Sequence, residues 1–248
     1  MQRYVIVGGT SSIAEHCARI WIKSEDLDLT LVARDKYKAE AIAADLRVRN
    51  QDSKVSVVEC EFSTPAVIEQ TVEHIYQGGN VDCVLIAHGM LPSQEICEKN
   101  LNYTSQALAV NGVSPVLFAE AFASKMSHAG QGRIGIIGSV AGDRGRKSNY
   151  VYGAAKELVA RYAQGLQHRF SGSNVVVTLI KPGPTKTPMT EHFNFADQQK
   201  MAQVTAVSMS IVDGMAKGKA IVYTPQKWAI LMLIIRHIPR VIFNRINI

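Results

Sequence analysis

Tyr152 and Lys156 are four residues apart in a stretch of helical periodicity, so the phenol and the ammonium share one face of a predicted helix. A neighbouring ammonium draws a phenol's pKa down from about 10, which lets the oxygen exchange a proton with an alcohol or a carbonyl. A Tyr-x-x-x-Lys pair alone is a common helix-surface pattern; its surroundings give it meaning here. Ser139 precedes Tyr152 by thirteen residues and follows the apolar run 134–137 and Gly138, so its hydroxyl is placed to hold a substrate oxygen. A second group of residues suits a phosphate ligand. Gly8-Gly9-Thr10-Ser11-Ser12-Ile13-Ala14 joins an apolar strand to a helix, the place where backbone N–H groups and a helix dipole bind a pyrophosphate. Ser12 and Ala14 stand where further glycines are usual; Ala14 still permits close helix–strand packing, and Ser12 either crowds the phosphate or donates to it. A third signal closes the second strand, Val32-Ala33-Arg34-Asp35. An acid there pairs with the ribose hydroxyls of NAD, whereas an arginine accommodates the 2′-phosphate of NADP. Arg34 comes first, which favours NADP(H) and leaves NAD(H) open through Asp35, a residue equally suited to a helix N-terminus.

The elements that must carry these residues alternate along the chain. Apolar runs at residues 4–7, 27–33, 55–58, 81–87, 132–137 and 175–180 read as strands. Between them, residues 13–21, 36–49, 65–77, 101–126 and 149–170 have helical spacing, with Pro65 fitted to a helix start. Uninterrupted apolar strands alternating with helices imply an α/β fold. The expected form is a doubly wound Rossmann fold with a mainly parallel seven-stranded sheet and helices on both faces. At 248 residues, 47% hydrophobic and 19% charged, the chain can bury a full core as one domain. Residues 1–226 read as the catalytic domain and residues 227–248 as a basic amphipathic segment of the same domain. Four dispersed cysteines, with no Cys-x-x-Cys pair and no histidine cluster at ligand spacing, argue against a disulfide scaffold or a zinc module and point to a reducing compartment. No metal site is expected. The N-terminus does not read as a signal peptide, so the expected location is the cytoplasm.

In register, the glycine turn, Gly138-Ser139, Tyr152-x-x-x-Lys156 and Pro182-Gly183 resemble the classical short-chain dehydrogenases/reductases over about residues 1–190. The resemblance implies that Tyr152 is the acid/base, that Lys156 binds the nicotinamide ribose and tunes Tyr152, and that Ser139 orients the substrate. It further implies that Asn111 anchors a proton-relay water. Gly8, Thr10, Ser11, Ser12, Ile13, Arg34, Asp35, Glu61, Phe62, Ala87, His88, Gly89, Pro182, Gly183, Thr185 and Thr187 match cofactor-contact positions, together with Tyr152 and Lys156. Two departures stand out: Ala87-His88-Gly89 replaces the usual Asn-Ala-Gly, and Glu61 replaces the usual Asp facing the adenine. His88 reads as a structural donor at a strand end, with a substrate contact as the other possibility. The resemblance also implies a homo-oligomer, a dimer or tetramer through the long helices.

Within that family, the run from Ser139 to Arg146 and the tail with Tyr223-Thr224-Pro225, Lys227-Trp228 and 236–240 are similar to the branch that reduces decaprenylphosphoryl-2-keto-ribose. This implies a keto group on a polyprenyl-phosphate-linked sugar as substrate, in cell-envelope glycan synthesis. Arg144 and Arg146 would meet the lipid's phosphodiester, and Met189 would stand in the substrate wall. The alternatives are a soluble or lipid ketone unrelated to sugars, and a non-catalytic NADP(H) sensor. The sensor is disfavoured because Ser139, Tyr152, Lys156 and Asn111 are all present. The net charge of +6 is concentrated at the end of the chain, where Lys227, Arg236, Arg240 and Arg245 stand with no acid among residues 227–248. Eight apolar residues, 228–235, are too few to span a bilayer, which takes about 20. The segment is expected to lie on the inner membrane face, or else to pack in the core or at a dimer interface, and no nucleic-acid partner is expected.

Overall fold

The computed structural model describes residues 1–62, 64–191 and 193–246. Its elements, in chain order, begin with β1 (Gln2–Val7), α1 (Ser12–Ser24), β2 (Leu27–Ala33), α2 (Lys36–Arg49), β3 (Lys54–Glu59), α3 (Pro65–Tyr76) and β4 (Cys83–Ile86). Next are α4 (Gln94–Lys99), α5 (Leu101–Leu108), α6 (Ser114–Ala129), β5 (Gln131–Ile137), α7 (Tyr150–Arg169), β6 (Asn174–Pro182) and β7 (Thr185–Lys186). The last are α8 (Phe195–Lys200), β8 (Ala202–Gln203), α9 (Val204–Ala216), β9 (Ile221–Thr224), α10 (Lys227–His237) and α11 (Arg240–Phe243).

Seven strands form one sheet in the order β3-β2-β1-β4-β5-β6-β9, and every pairing in it is parallel. Parallel strands need crossovers, and the helices that supply them cover both faces, which is why the central strands read as unbroken apolar runs. One face packs Val5, Val7, Val84 and Ile136 against Phe118, Phe122 and Met126 of α6 and against α3 and α7. The other packs Ile6, Leu29, Leu31 and Leu85 against α1, α2 and α9. Strand order reverses between β1 and β4, so the loops leaving their carboxyl ends diverge and open a crevice there.

Sequence periodicity locates six strands; the seventh is β9, only four residues long and alternating in burial. Between the strand expected at 81–87 and the helix expected at 101–126 lies α4, because Ser93 and Asn100 each accept a cap bond and start a new helix. The long helix is present from Leu101 to Ala129, and the chain makes a π turn at Ala109–Val113 within it. Among the described residues, this is the only helical run long and apolar enough to cross a membrane, and half of it is buried within the fold. The C-terminal segment forms α10 and α11, and Pro239 separates them.

Candidate active site

All strands of the sheet run the same way, so their carboxyl ends bring to one edge the residues singled out by type and spacing. Gly8 follows β1 with φ +86°, a conformation that costs glycine little, and a Cβ there would lie 2.6 Å from the His88 backbone nitrogen. The glycine thus lets the loops after β1 and β4 approach closely. Ser12, Lys186, Thr187, Pro188 and Thr190 line a cleft of about 190 Å³ between the glycine turn and the segment after β6.

At the end of β2, the Asp35 carboxylate accepts a bond from Lys38 N at 2.9 Å and caps α2. This is the helix-terminus role. Arg34 is exposed, and among the described residues its guanidinium has no hydrogen bond or ion pair. Glu61, after β3, is exposed. Phe62 is half-buried, with its ring 4.6 Å from the His88 ring and edge-on to Phe118. His88 is buried, and its Nε2 lies 2.9 Å from Ser114 Oγ. Its Nδ1 is buried without a partner among the described residues. Burial, reinforced by Lys156 and Arg34, holds its pKa down at about 3, so the ring is neutral.

Ser139 follows β5 and caps a 3₁₀ turn, Val140–Asp143, by accepting from Ala141 N at 3.1 Å. Tyr152 and Lys156 come from the first turns of α7. The turn and the helix interlock at Gly142, where a Cβ would lie 2.8 Å from the Glu157 nitrogen. Burial raises the Tyr152 pKa, and a hydrogen bond with Ser139 opposes that rise. The sequence assigns the lowering to Lys156; in the structure the neighbour that lowers it is Ser139. Lys156 Nζ lies 5.8 Å from the Tyr152 ring centre and donates to Ile137 O at 3.1 Å. It is only 3% exposed, and burial pushes its pKa down to about 8.

Asn111 is fully buried in the π turn, with Oδ1 accepting from Met90 N and Nδ2 donating to Ala107 O, both at 2.9 Å. The side chain thus ties the segment after β4 to the helix. Such π turns are frequent at functional sites. Past β6, Thr185 Oγ1 donates to Gly183 O at 2.9 Å. Thr187 and Thr190 cap the short turn that follows.

A nicotinamide dinucleotide fits these residues. Gly8 and the N-terminus of α1 form an anion cradle, and Lys156 is a buried ammonium with one carbonyl acceptor and donors left for ribose hydroxyls. The bound nicotinamide supplies or accepts hydride. The Tyr152 phenol can give a proton to a substrate oxygen, and the Ser139 hydroxyl beside it can hold that oxygen. Burial keeps the phenol protonated at neutral pH, the form that carbonyl reduction requires.

Of the three substrate residues, Arg144 needs correction. Arg144 does not present a free guanidinium: its Nη1 donates to the carbonyls of Ile235 at 2.5 Å and Ile238 at 2.7 Å. The same group stacks 3.8 Å over the Phe243 ring. It clamps the end of α10, where unpaired carbonyls favour a cation. Arg146 is half-buried beside Met232, and its Nε has no partner among the described residues. Met189 is exposed.

Sequence reasoning misses Asp143 and Lys181, which form a buried ion pair, and Tyr223, whose hydroxyl donates to Asp143 at 2.7 Å. The available signal is Lys181 itself, a charge inside the apolar strand of residues 174–182, which requires a partner. Trp228 of α10 is missed as well: its indole lies against Gly183, where any Cβ would overlap it.

Fold and site together define an oxidoreductase that uses a nicotinamide cofactor and acts at a carbonyl or alcohol carbon. Residues 2–199 match the short chain dehydrogenase family, and the chain belongs to that family. It is 28% identical over 250 residues to an uncharacterized oxidoreductase of Mycobacterium tuberculosis, covering 97% of this chain and 95% of the relative. An uncharacterized oxidoreductase of Streptomyces coelicolor is 25% identical over 242 residues, covering 98% and 94%. Two solved structures share the fold. One is a short-chain dehydrogenase from Sphingobium yanoikuyae in complex with NADPH, with TM-score 0.83, 22% identity and 97% of each chain covered. The other is the bulky-bulky ketone specific alcohol dehydrogenase from Comamonas testosteroni, with TM-score 0.80, 20% identity, and 97% and 96% covered.

Proposed function

We propose that this oxidoreductase uses NADPH to reduce a keto group on a sugar carried by a polyprenyl phosphate, at the inner membrane face during cell-envelope glycan synthesis. The observation that carries this reading is the position of the tail. Val140, next to Ser139, shares a small core with Met232 and Ile235 of α10. The outer side of α10 and α11 exposes Ile230 (67%), Leu233, Ile234, Val241 and Ile242, flanked by Lys227, Arg236, Arg240 and Arg245. An apolar face with a basic rim suits anionic headgroups, and a lipid-linked substrate must be met where its chain is buried. With Arg144 engaged by α10, the phosphodiester falls to Arg146 and the exposed Lys147. NADPH is favoured over NADH because Arg34 is unpaired and Asp35 is engaged as a cap. The Sphingobium relative holds NADPH. As in the family, a second copy would pack on α6 and α7, where Glu120, Leu158, Tyr162 and Arg169 line a cleft of about 530 Å³.

The test compares turnover of a polyprenylphosphoryl keto-pentose with that of the same sugar without lipid, with Arg146→Ala in parallel. The lipid form is expected to be preferred, and Arg146→Ala to lose that preference. Equal efficiency on the bare sugar overturns the reading. It would leave a reductase of another bulky ketone, a second reading supported by the likeness to the Comamonas enzyme.

A further inference from the structure

Asp143, Lys181 and Tyr223 lie outside the Tyr152–Lys156–Ser139 group, yet each is attached to a segment that must be placed correctly for catalysis. Asp143 ends the 3₁₀ turn that Ser139 caps. Lys181 is the penultimate residue of β6 and leads directly into Pro182-Gly183. Tyr223 lies on β9, whose Thr224 carbonyl accepts from Gly183 N at 3.0 Å. One carboxylate joins all three. Asp143 Oδ1 pairs with Lys181 Nζ, the side chains being 1% and 5% exposed, and Oδ2 accepts from the Tyr223 hydroxyl. Lys181 Nζ also lies 5.6 Å from the Tyr223 ring centre.

Burying two charges is costly, and well-packed apolar residues often match or exceed the stability of a buried ion pair. An ion pair does, however, fix distance and direction in a way that apolar side chains do not. We propose that Asp143, Lys181 and Tyr223 are positioning residues that set the spacing between the turn carrying Ser139 and the Pro182-Gly183 loop. Through them, the group that holds the substrate oxygen is kept in register with the segment beside the nicotinamide. The same turn is secured from outside by Arg144 on α10, and Trp228 of α10 rests on Gly183. The brace therefore has an inner and an outer side, and both end on the two catalytic loops. This rests on the nicotinamide site and does not depend on which ketone is reduced.

Trp228 provides the readout. The chain has two tryptophans, and Trp21→Phe leaves Trp228, which rests on Gly183, as the only indole from which energy transfer to added NADPH can be read. In that background, Asp143→Leu with Lys181→Met removes both charges together, and Tyr223→Phe removes one hydrogen bond. The double replacement is expected to melt within a few degrees of its parent, while NADPH Kd rises at least ~10-fold and energy transfer falls. Tyr223→Phe is expected to raise Kd by about threefold, in line with one lost bond. A brace that merely stabilises the fold would lower the melting temperature and leave Kd and energy transfer unchanged, and that result overturns the proposal. If the double replacement fails to fold, Tyr223→Phe decides on the same two readouts. Absence of NADPH binding by the Trp21→Phe parent would instead overturn the cofactor assignment.

Discussion

Two lysines are buried at the carboxyl edge of the same sheet, 3% and 4% exposed, and the fold treats them in opposite ways. Lys181 is held by a carboxylate that is itself buried and further bonded by Tyr223. Lys156 has one main-chain carbonyl and no counter-charge, and burial pushes its pKa down to about 8 from an ordinary 10.5. The contrast separates a charge completed by the protein from a charge left for a ligand to complete. A buried ionisable group that the fold leaves under-satisfied is a candidate binding position, whereas a fully matched one serves as a structural joint.

The largest expected effect falls on the under-satisfied side. Lys156→Met should lower turnover by on the order of 10²–10⁴-fold, the range of a lost acid/base partner. It should nevertheless raise the melting temperature of the free protein. Below about pH 8 the native state carries a buried ammonium that the unfolded chain solvates, and above it the native state is neutral. The contribution of Lys156 to stability therefore rises between about pH 8 and about 10.5, by about 3 kcal/mol in total. Melting curves of both proteins across that window should show the advantage of Lys156→Met over the natural chain shrinking as pH rises from about 8 to about 10.5. A destabilised Lys156→Met protein would erase the contrast.

Lys181→Met alone should do the reverse and destabilise by ~3–5 kcal/mol, because the Asp143 carboxylate is left buried without its cation. Denaturant titration reads this directly, and an unchanged midpoint would mean that solvent reaches the carboxylate. His88 sharpens the comparison from the acid side. Its folded pKa of about 3 lies below the ordinary 6.5, so the unfolded chain binds the extra proton and stability is lost as pH falls from about 6.5 towards 3. His88→Asn should move the acid-unfolding midpoint to lower pH. The smallest effect is outside the buried region: Arg34→Ala should weaken NADPH by ~10- to 100-fold, the scale of a charged hydrogen bond, and leave NADH nearly unchanged. Calorimetric titration with both nucleotides measures the ratio.

Much of this edge was legible because a parallel sheet turns linear motifs into neighbours. Gly8, Ser139 and Tyr152 each follow a strand or open a helix, so order along the chain is enough to bring them together. Asp35 was ambiguous between ribose and helix cap, and only the Lys38 contact separates the two. The basic loop misled because composition shows Arg144 as a cation and does not show that the carbonyls ending α10 lie beside it. Asp143, in the turn after β5, and Lys181, on β6, are 38 residues apart, and only packing makes them a pair.

The π turn at Ala109–Val113 has a consequence for how this chain tolerates insertions and deletions. A π turn holds one more residue than the α-helical path it replaces, and each residue of an α-helix advances by about 100°. Deleting Val110 would let α5 run into α6 as one regular helix, leaving Phe118, Phe122 and Met126 on their present face of the core. The helix would survive, but Asn111 would lose its paired contacts with Met90 and Ala107. One-residue length changes elsewhere in the buried helices would rotate the core out of register; here the fold carries a spare residue whose removal is paid in the site alone.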